Sequence, residues 1–538
     1  MAIVELNKKN ISKLKIKDID DRLSMLGCPV EEETSLKILV DISPNRPDLL
    51  SEQGVIRALE TFIGKRKGIK SYKAEKSGYA VKIESSVKDV RPYTACAVVK
   101  NLKLDDEKIE EIIEIQEKLH TTLGRNRKKI AIGIYPLEKI KFPVIYKALK
   151  PEEIKFQPLE ADREMTAMQI LQQHPTGKEY ASLLEGKNKF PVFADASGSI
   201  MSMPPIINSN TTGKITGKTT DAFIECSGFD FNTLSKCLNI IVCALEDMGG
   251  KIYSVGISDG NKKEVTPNLS NEKINININN VNKLLGLDLK EADMKKLLEK
   301  MGFSYSNKTA EIPPYRTDIL HEVDIIEDIA IAYGYENFKE EIPQISTIGK
   351  EDNFEVFKRN VAEILVGLGM LETYSYNLIN EEEENNNMET SFDLVRISNT
   401  KTNYNALRAS MVPSLIKILS ENKDKEYPQN IFETGAVNIK KDNDIESYER
   451  TGIVSSPGNF TFMKQILDAL AISLGIKYDI AEAEHPSYIN GRTGRIIINN
   501  RKVGYIGEIS PKVLENWNLK MPAAAIEINL TELFDVIK

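Results

Sequence analysis

Residues 311–335, EIPPYRTDILHEVDIIEDIAIAYGY, decide the fold of the region around them. Pro313 and Pro314 impose an extended lead-in, because each proline fixes its own φ and pushes the preceding residue out of the α region. We therefore predict a helix that begins near His321 and ends at Gly334. The apolar residues that recur at helical spacing and form its buried face are Ile325, Ile326, Ile329, Ala330 and Tyr333.

Four acidic side chains accompany this helix, namely Asp318, Asp324, Glu327 and Asp328. At about 100° per residue, the last three fall within an arc of about 100° opposite the isoleucines, and the first precedes them in the turn. One interpretation is a solvated acidic face at a helix N-terminus, where the helix dipole favours negative charge. The other is a Mg²⁺ site, since a hard cation binds oxygen ligands and offsets the repulsion among clustered carboxylates.

The composition indicates a globular, multidomain chain. Its 538 residues predict roughly three to five domains, and a 41% apolar share is ample to build their cores. The net charge of −8 means that any RNA contact must be local. Five cysteines without C-x-x-C spacing argue against a disulfide framework or a zinc site and fit a reducing cytoplasm. Neither a signal-peptide core nor a run of about 18 apolar residues is visible, which predicts no export and no membrane span.

The N-terminal region predicts a strand, a turn and a helix. Residues 36–42 form an apolar run, SPNRP at 43–47 interrupts it, and a helical pattern then continues to Gly64. Asn45, Arg46 and Asp48 suit turn formation and helix capping. Residues 65–77 are rich in Lys, contain Gly68 and have little apolar content, and they predict a linker.

Two features stand out in the region that follows. Residues 125–129, RNRKK, form a basic turn, which we interpret as a solvated loop or, less simply, as a contact for nucleic-acid phosphates. Pro204-Pro205 interrupts an apolar run and cannot lie in the middle of a sheet, so it predicts a kinked backbone that forms a pocket wall.

The remaining sequence predicts two more regions. Ile274, Ile276 and Ile278 alternate with asparagines, which is typical of a half-buried strand, and helices over 280–285 and 291–301 follow. Residues 350–538 combine a helix over 354–368 with strands over 495–499 and 503–508, which predicts one large α/β domain.

Several of these stretches resemble the β subunit of phenylalanine–tRNA ligase of the archaeal and eukaryotic type. The resemblance covers almost the whole chain. The matching segments are PPYRTDILHEVDIIEDIAIAYGY (313–335), ISPNRPDLLSEQGVIRAL (42–59), NTKTNYNALRASMVPSLI (399–416), IFETGAV (431–437), HPSYINGRTGR (485–495) and VGYIGEISPKVLE (503–515).

The resemblance implies a multidomain protein of α/β and α+β class. The implied domains are a small α/β module with its linker at 1–77, an editing domain that binds tRNA at 78–268, a winged-helix-like module with the carboxylate segment at 269–349, and a degenerate class II ligase catalytic domain at 350–538. It also implies a cytoplasmic enzyme of two α and two β subunits that attaches phenylalanine to tRNA(Phe). The α subunit binds ATP and shares a Mg²⁺ with Asp318, Asp324, Glu327 and Asp328.

The family's editing pocket, which hydrolyses tyrosyl-tRNA(Phe), falls on Phe193, Ser202, Asn208, Glu225 and Ser227. The family usually has leucine, aspartate and threonine at the first, fourth and fifth of these positions. Tyr135-Pro136 also stands where an aromatic residue or histidine followed by aspartate is expected. The functional groups remain but their placement changes, so we expect a weakened or repacked editing site.

The last domain lacks the arginines with which class II ligases hold ATP. Gly367-Leu368-Gly369 has no arginine at the expected spacing, and Phe432-Glu433 does not complete an R-x-E strand. We therefore expect a scaffold and not an active centre. Two alternatives remain, namely a tRNA-binding or assembly scaffold without editing activity and a free-standing editing hydrolase.

Overall fold

The computed structural model describes residues 2–260, 262–343, 348–442 and 444–537. It contains two compact units, residues 1–341 and 342–538. Helices and sheets occur together in both, which confirms the predicted multidomain α/β and α+β class. The four domain boundaries given above stay predictions.

The first unit begins with a three-stranded antiparallel sheet. Its strands are Ala2–Asn7, Lys37–Ile42 and Val30–Glu33 in spatial order. The helices of this region are Lys8–Ser12, Ile19–Met25 and Glu52–Phe62. The predicted linker is packed and not free, because Tyr72 is buried and its hydroxyl donates to Asp247 Oδ1 at 2.9 Å.

A ten-stranded sheet follows in the first unit. Nine of its strands lie in the spatial order Ile207–Asn208, Ile200–Met203, Phe190–Ala194, Val144–Leu149, Ala80–Ile83, Lys251–Asp259, Tyr93–Lys100, Ala222–Gly228 and Ile130–Pro136, and Lys262–Thr266 pairs with Lys251–Asp259. Side chains from the two ends of this order meet, since the Tyr135 hydroxyl lies 2.8 Å from Ser202 Oγ. The sheet therefore curls around an apolar core that contains Val98, Tyr146 and Phe223.

Helices and a short strand pair complete this region. The helices are Asp106–Thr121, Ala167–Gln173, Pro175–Tyr180, Asn210–Gly213 and Phe231–Asp247, and the strand pair is Lys155–Phe156 with Met165–Thr166.

The first unit closes with a small sheet and three helices. Thr309–Ile312 is the central strand between Glu272–Asn275 and Ser304–Ser306. The helices are Ile278–Leu285, Glu291–Lys300 and Glu322–Tyr333. The prediction for Ile278 was wrong, because Asn277 caps a helix there, but the helix expected near His321 is confirmed with His321 as its N-cap.

The second unit is built on a seven-stranded sheet. Its spatial order is Leu371–Glu372, Gln429–Lys441, Asp444–Ser456, Ala524–Asn529, Arg501–Ile509, Tyr488–Ile498 and Asp479–Glu482. Only the first pair is parallel; the others are antiparallel. A two-stranded pair joins Leu378–Ile379 to Ala406–Leu407.

The helices of the second unit are Asn353–Gly367, Val412–Glu421, Phe460–Leu474, Pro511–Asn516 and Leu530–Ile537. Asn353–Gly367 and Phe460–Leu474 share an apolar core with the large sheet through Leu365, Leu467 and Ile526. In the ranges that the structure describes, no helix combines the length and the apolar character needed to cross a membrane.

Candidate functional site

Arg316 is the centre of a buried network of charges. One of its nitrogens, Nη2, lies 2.6 Å from Asp318 Oδ2 and 2.7 Å from Asp328 Oδ2. Arg46 holds Asp48 with two hydrogen bonds of 2.9 Å and also approaches Asp318 at 3.9 Å. Two guanidinium groups thus offset three carboxylates, which is how charges removed from water are kept in a folded protein.

The acids of this network differ in how well their negative charges are compensated. Burial raises the pKa of Asp328, and Arg316 and Arg46 oppose this only in part. Burial acts in the same direction on Asp48, but the adjacent Arg46 guanidinium brings the pKa of Asp48 below its usual value. Asp328 Oδ2 also accepts no well-aligned hydrogen bond despite its short distance to Arg316. Asp328 is therefore the least well-compensated acid of the network.

The four acids predicted to bind Mg²⁺ do not share one environment. Asp328 is buried on the core side of its helix, contrary to the expected acidic face, and it is paired with Arg316 together with Asp318. Asp324 caps its own helix, because its Oδ2 accepts from the backbone N–H groups of residues 320 and 321 at 2.7 and 2.8 Å. Glu327 is exposed.

The described residues contain no group of three or more His, Cys, Asp or Glu arranged to hold a metal ion. Arg316 and Arg46 supply positive charge next to two of the four acids, Asp318 and Asp328. Asp324 and Glu327 remain suitable donors, because they are neighbours at i and i+3 on one helix and Mg²⁺ commonly uses only one or two carboxylates with several waters.

A second cluster surrounds the hydroxyl of Tyr135. The hydroxyl lies 2.8 Å from Ser202 Oγ, 3.1 Å from Glu225 Oε1 and 3.4 Å from Asn208 Oδ1. The structure thus brings together three of the five predicted editing residues. They come from three different strands, and Tyr135 itself comes from a fourth.

Glu225 is a buried acid in this cluster. Burial raises the pKa of Glu225 to about 8, although Tyr135 and the positive charge of Arg91 oppose the shift. Its Oε2 atom has no hydrogen-bond partner among the described residues. At neutral pH the side chain is therefore mostly protonated and can donate as well as accept a hydrogen bond.

The other two predicted editing residues lie deeper in the domain. Phe193 stacks on Tyr146 with ring centroids 4.3 Å apart, so its ring is part of the core and is not in the lining of the cavity that Asn208 and Glu225 share. Ser227 contacts Arg91, whose Nε lies 3.3 Å from Ser227 Oγ and whose Nη2 donates to the Ser227 carbonyl at 2.7 Å. Arg91 is 3% exposed and no sequence pattern singled it out.

A cavity of about 210 Å³ lies beside the Tyr135 cluster, and both Asn208 and Glu225 line it. Pro204-Pro205 forms part of its wall, as predicted. The other polar residues of the lining are Gln116, Glu117, His120, Arg127, Glu160, His174 and Thr176. The two histidines were missed, since each is isolated in the sequence.

The basic residues of the turn at 125–129 lie in two different environments. Arg127 donates to the Ile206 carbonyl at 2.9 Å and to Glu117 at 2.8 Å, so it ties the turn to the cavity wall. Arg125, Lys128 and Lys129 are exposed, in line with a solvated loop.

The second unit has its own cavity of about 460 Å³, and its arginines are engaged within the chain. Arg450 in its lining lies 2.7 Å from Glu527, and Arg495 lies over the ring of Tyr505. Glu433, from the strand that lacks R-x-E, is paired with the buried Arg408 at 2.7 Å.

Comparison with known proteins first defines the class. Residues 274–335, which contain most of the small sheet and the whole helix Glu322–Tyr333, match the family described as the tRNA synthetase B5 domain. The class of protein indicated by this match is that of the tRNA synthetases.

Further comparisons define the family. Residues 339–530 match the phenylalanyl tRNA synthetase beta chain CLM domain. The phenylalanine–tRNA ligase beta subunits of Archaeoglobus fulgidus and Pyrococcus horikoshii are each 40% identical to the chain, covering 99% of it and 99% and 100% of their own lengths. The crystal structure of an N-terminal fragment of the phenylalanyl-tRNA synthetase beta subunit from Pyrococcus horikoshii matches with a TM-score of 0.59 and 36% identity, over 62% of this chain and 99% of that fragment. The chain belongs to the phenylalanine–tRNA ligase β-subunit family, and is thus a ligase subunit, as the resemblance predicted.

Glu225→Gln is expected to remove a pH-dependent loss of stability. The pKa of Glu225 is about 8 in the folded chain against an ordinary value of 4.5. Between these values the folded state keeps a proton that the unfolded chain releases, so the free energy of unfolding falls as pH rises through this window. The free energy of unfolding of the glutamine variant, relative to that of the native chain, should increase from about pH 5 to about pH 8, by a few kcal/mol at most.

Denaturation midpoints measured across this range for both chains test the prediction. The matched control is the exposed Glu110→Gln, which removes one surface carboxylate outside this cluster. Native and Glu225→Gln curves that run parallel from pH 5 to pH 8 would contradict the assignment.

Proposed function

We propose that this chain is the non-catalytic β subunit of a cytoplasmic phenylalanine–tRNA ligase. With a catalytic α subunit, two copies of each, it attaches phenylalanine to tRNA(Phe), and the α subunit binds ATP. The main observation that supports this proposal is the 40% identity, over 99% of the chain, to proteins named as β subunits of this ligase. The engagement of Arg408 and Arg450 by Glu433 and Glu527 supports the absence of an ATP clamp, which would need guanidinium groups free to hold phosphate oxygens.

The purified chain alone is expected to form no phenylalanyl-tRNA, whereas adding a family α subunit should restore charging. Charging is measured with labelled phenylalanine, and the mass of the complex by size exclusion with light scattering. The α subunit alone is the control. Robust phenylalanine activation by this chain alone would overturn the proposal.

We propose that Mg²⁺ at the contact with the α subunit is held by Asp324 and Glu327, with the remaining ligands from the α subunit and water. Asp318 and Asp328, the other two predicted ligands, would then act through Arg316 by holding the helix in place. When bound, the ion would neutralise the acids at this contact. The exposure of Glu327 and the second carboxylate oxygen of Asp324, whose Oδ2 alone serves the helix cap, support this division.

Glu327→Gln is expected to weaken the Mg²⁺ dependence of α-subunit binding while leaving the stability of the chain within about 0.5 kcal/mol, as for other exposed sites. Asp328→Asn should instead lower stability, because it leaves Arg316 less well compensated. Binding is titrated at several Mg²⁺ concentrations, with the exposed Glu110→Gln as the matched control. If Asp324→Asn and Glu327→Gln both leave the Mg²⁺ dependence unchanged, the two acids form only a solvated face.

We also propose that the first unit carries a weakened hydrolytic editing site for tyrosyl-tRNA(Phe). The support is the cavity that Asn208 and Glu225 line with two histidines, next to Ser202. Such a site must test for the tyrosine hydroxyl, and buried polar groups do so because an unfilled partner is costly. The alternative, an assembly scaffold without editing, is favoured by one observation, since Tyr135 already occupies these polar groups.

The triple variant Phe193→Leu, Glu225→Asp, Ser227→Thr is expected to deacylate tyrosyl-tRNA(Phe) faster than the native assembled enzyme. A carboxylate displaced by about 1 Å can cost on the order of 10²-fold in rate, so a gain of about tenfold or more is expected. Adding Ser202→Ala to the triple variant is the control and should abolish the gain. A native rate that the triple variant fails to exceed would contradict the weakening.

A further inference from the structure

The cavity of the second unit lies on one face of its seven-stranded sheet. The strand register places Glu527 beside Gly452 and Tyr505, and Tyr505 beside Arg495, so these residues form one row across four strands. Arg450 precedes Gly452 by two residues and therefore projects from the same face. The side chains of this face line a volume of about 460 Å³.

Most oxygens of the two buried acids in this cavity, Glu384 and Glu527, already accept hydrogen bonds. Glu527 Oε1 lies 2.7 Å from Arg450 Nη1, and Glu527 Oε2 accepts from Ser410 Oγ at 2.5 Å. Glu384 Oε1 accepts from the backbone N–H groups of Ala409 and Ser410 at 2.9 and 2.8 Å. Ser410 thus joins Glu384 to Glu527, and Glu527 in turn holds Arg450, so both ends of this chain of bonds lie beside the same cavity.

Three buried polar atoms of the lining have no hydrogen-bond partner among the described residues, namely Glu384 Oε2, Arg450 Nε and Arg495 Nε. The Glu384 side chain is fully buried. Burial raises the pKa of Glu384 to about 8, since the backbone N–H groups and Arg408 offset it only in part and Glu527 adds to the shift. At neutral pH Glu384 is therefore mostly protonated, and Oε2 carries the proton because Oε1 accepts two N–H bonds. All three unpaired atoms are then donors.

Unpaired donors favour a ligand that brings acceptor oxygens and negative charge. A carboxylate has two oxygens, so one can accept from Glu384 while the other accepts from Arg450 Nε. An ammonium group brings only donors and would lie near the positive guanidinium of Arg450. The lining also leaves room for an apolar body, through Phe392, Val412, Pro413, Tyr488 and Val503.

We propose that this cavity binds a small organic carboxylate, whose oxygens accept hydrogen bonds from Glu384 and Arg450 while its apolar body packs on Phe392 and Tyr488. The inference goes beyond the proposed ligase function, because that function gives this cavity no ligand.

Three probes that share a ring and differ in their polar group test the chemical class, namely benzoate, benzamide and benzylamine. In calorimetric titrations of the full chain at pH 7, benzoate is expected to bind about tenfold or more tightly than the other two, because hydrogen bonds to a charged acceptor are the stronger ones. Benzylamine or benzamide that binds as tightly as benzoate, no binding of benzoate, or its displacement by an equal concentration of inorganic phosphate would overturn the proposal.

The methyl resonance of Met388, which lines the cavity, locates the site. In the chain labelled at its methionine methyl groups, benzoate should shift this signal, which is assigned by its loss in Met388→Leu. Benzoate binding that leaves the Met388 signal in place would overturn the proposal.

The pH profile tests the role of Glu384. As pH rises through about 8, Glu384 loses the proton that it donates and becomes negative, so the affinity for benzoate should fall about tenfold between pH 7 and pH 9. His485 also lines the cavity, but burial lowers its pKa, so it stays neutral over this range. Glu384→Gln keeps an acceptor for the backbone N–H groups and a donor for the ligand, so it should bind within about twofold of the native chain at pH 7 and show no such fall.

Arg450→Lys tests the second donor. Lysine keeps a positive charge opposite Glu527 but lacks Nε, so the affinity for benzoate should fall about tenfold. Arg396→Lys is the matched control, because Arg396 is paired with Glu381 at 2.5 Å outside the cavity, and it should leave the affinity unchanged. An affinity of Arg450→Lys equal to that of the native chain, or a native affinity that does not vary from pH 7 to pH 9, would overturn the proposal.

Discussion

The pairing of Arg316 and Arg46 with three aspartates is the constraint on which the first unit depends. Charges this deeply buried are stable only when each has a partner, so removing one group leaves the others uncompensated at a cost of about 3–5 kcal/mol. The pairs tie the turn at residues 43–48 to the segment at 314–328 across some 270 residues of sequence. The ion pairs thus join two stretches that carry the family resemblance. Both stretches therefore have a structural role that does not depend on a metal.

Local elements were predictable because their signals are local. The helix at Glu322–Tyr333 follows from apolar spacing, the prolines before it and the glycine after it, and the structure confirms it. Asp328 was expected on the acidic face opposite the isoleucines, whereas it is buried and paired with Arg316, because helical spacing carries no sign of a guanidinium from another segment. Alternation likewise favoured a strand through Ile278, but the capping side chain of Asn277 starts a helix at that residue.

The candidate site was predictable in its residues and not in its arrangement. Ser202, Asn208 and Glu225 were expected together by resemblance, and they meet because a ten-stranded sheet curls until its two ends face each other. Neither the curl nor the strand order has a signal in a single sequence. Phe193 was expected in the pocket by resemblance, whereas the register places it opposite Tyr146, where two rings stack in the core.

Pairing within the chain is common to the cationic groups of both units and to the phenol of Tyr135. Arg91, Arg316, Arg408 and Arg450 each contact polar groups of this chain, so none presents an unengaged fork to a phosphate. Tyr135 is the neutral counterpart, with a hydroxyl that completes a set of polar groups at a cavity's edge. In a buried setting an unpaired polar group is costlier than a pair, so internal partners persist unless a ligand supplies equal contacts. Ligand recognition at the Tyr135 cluster therefore has to be understood as competition with the chain's own side chains.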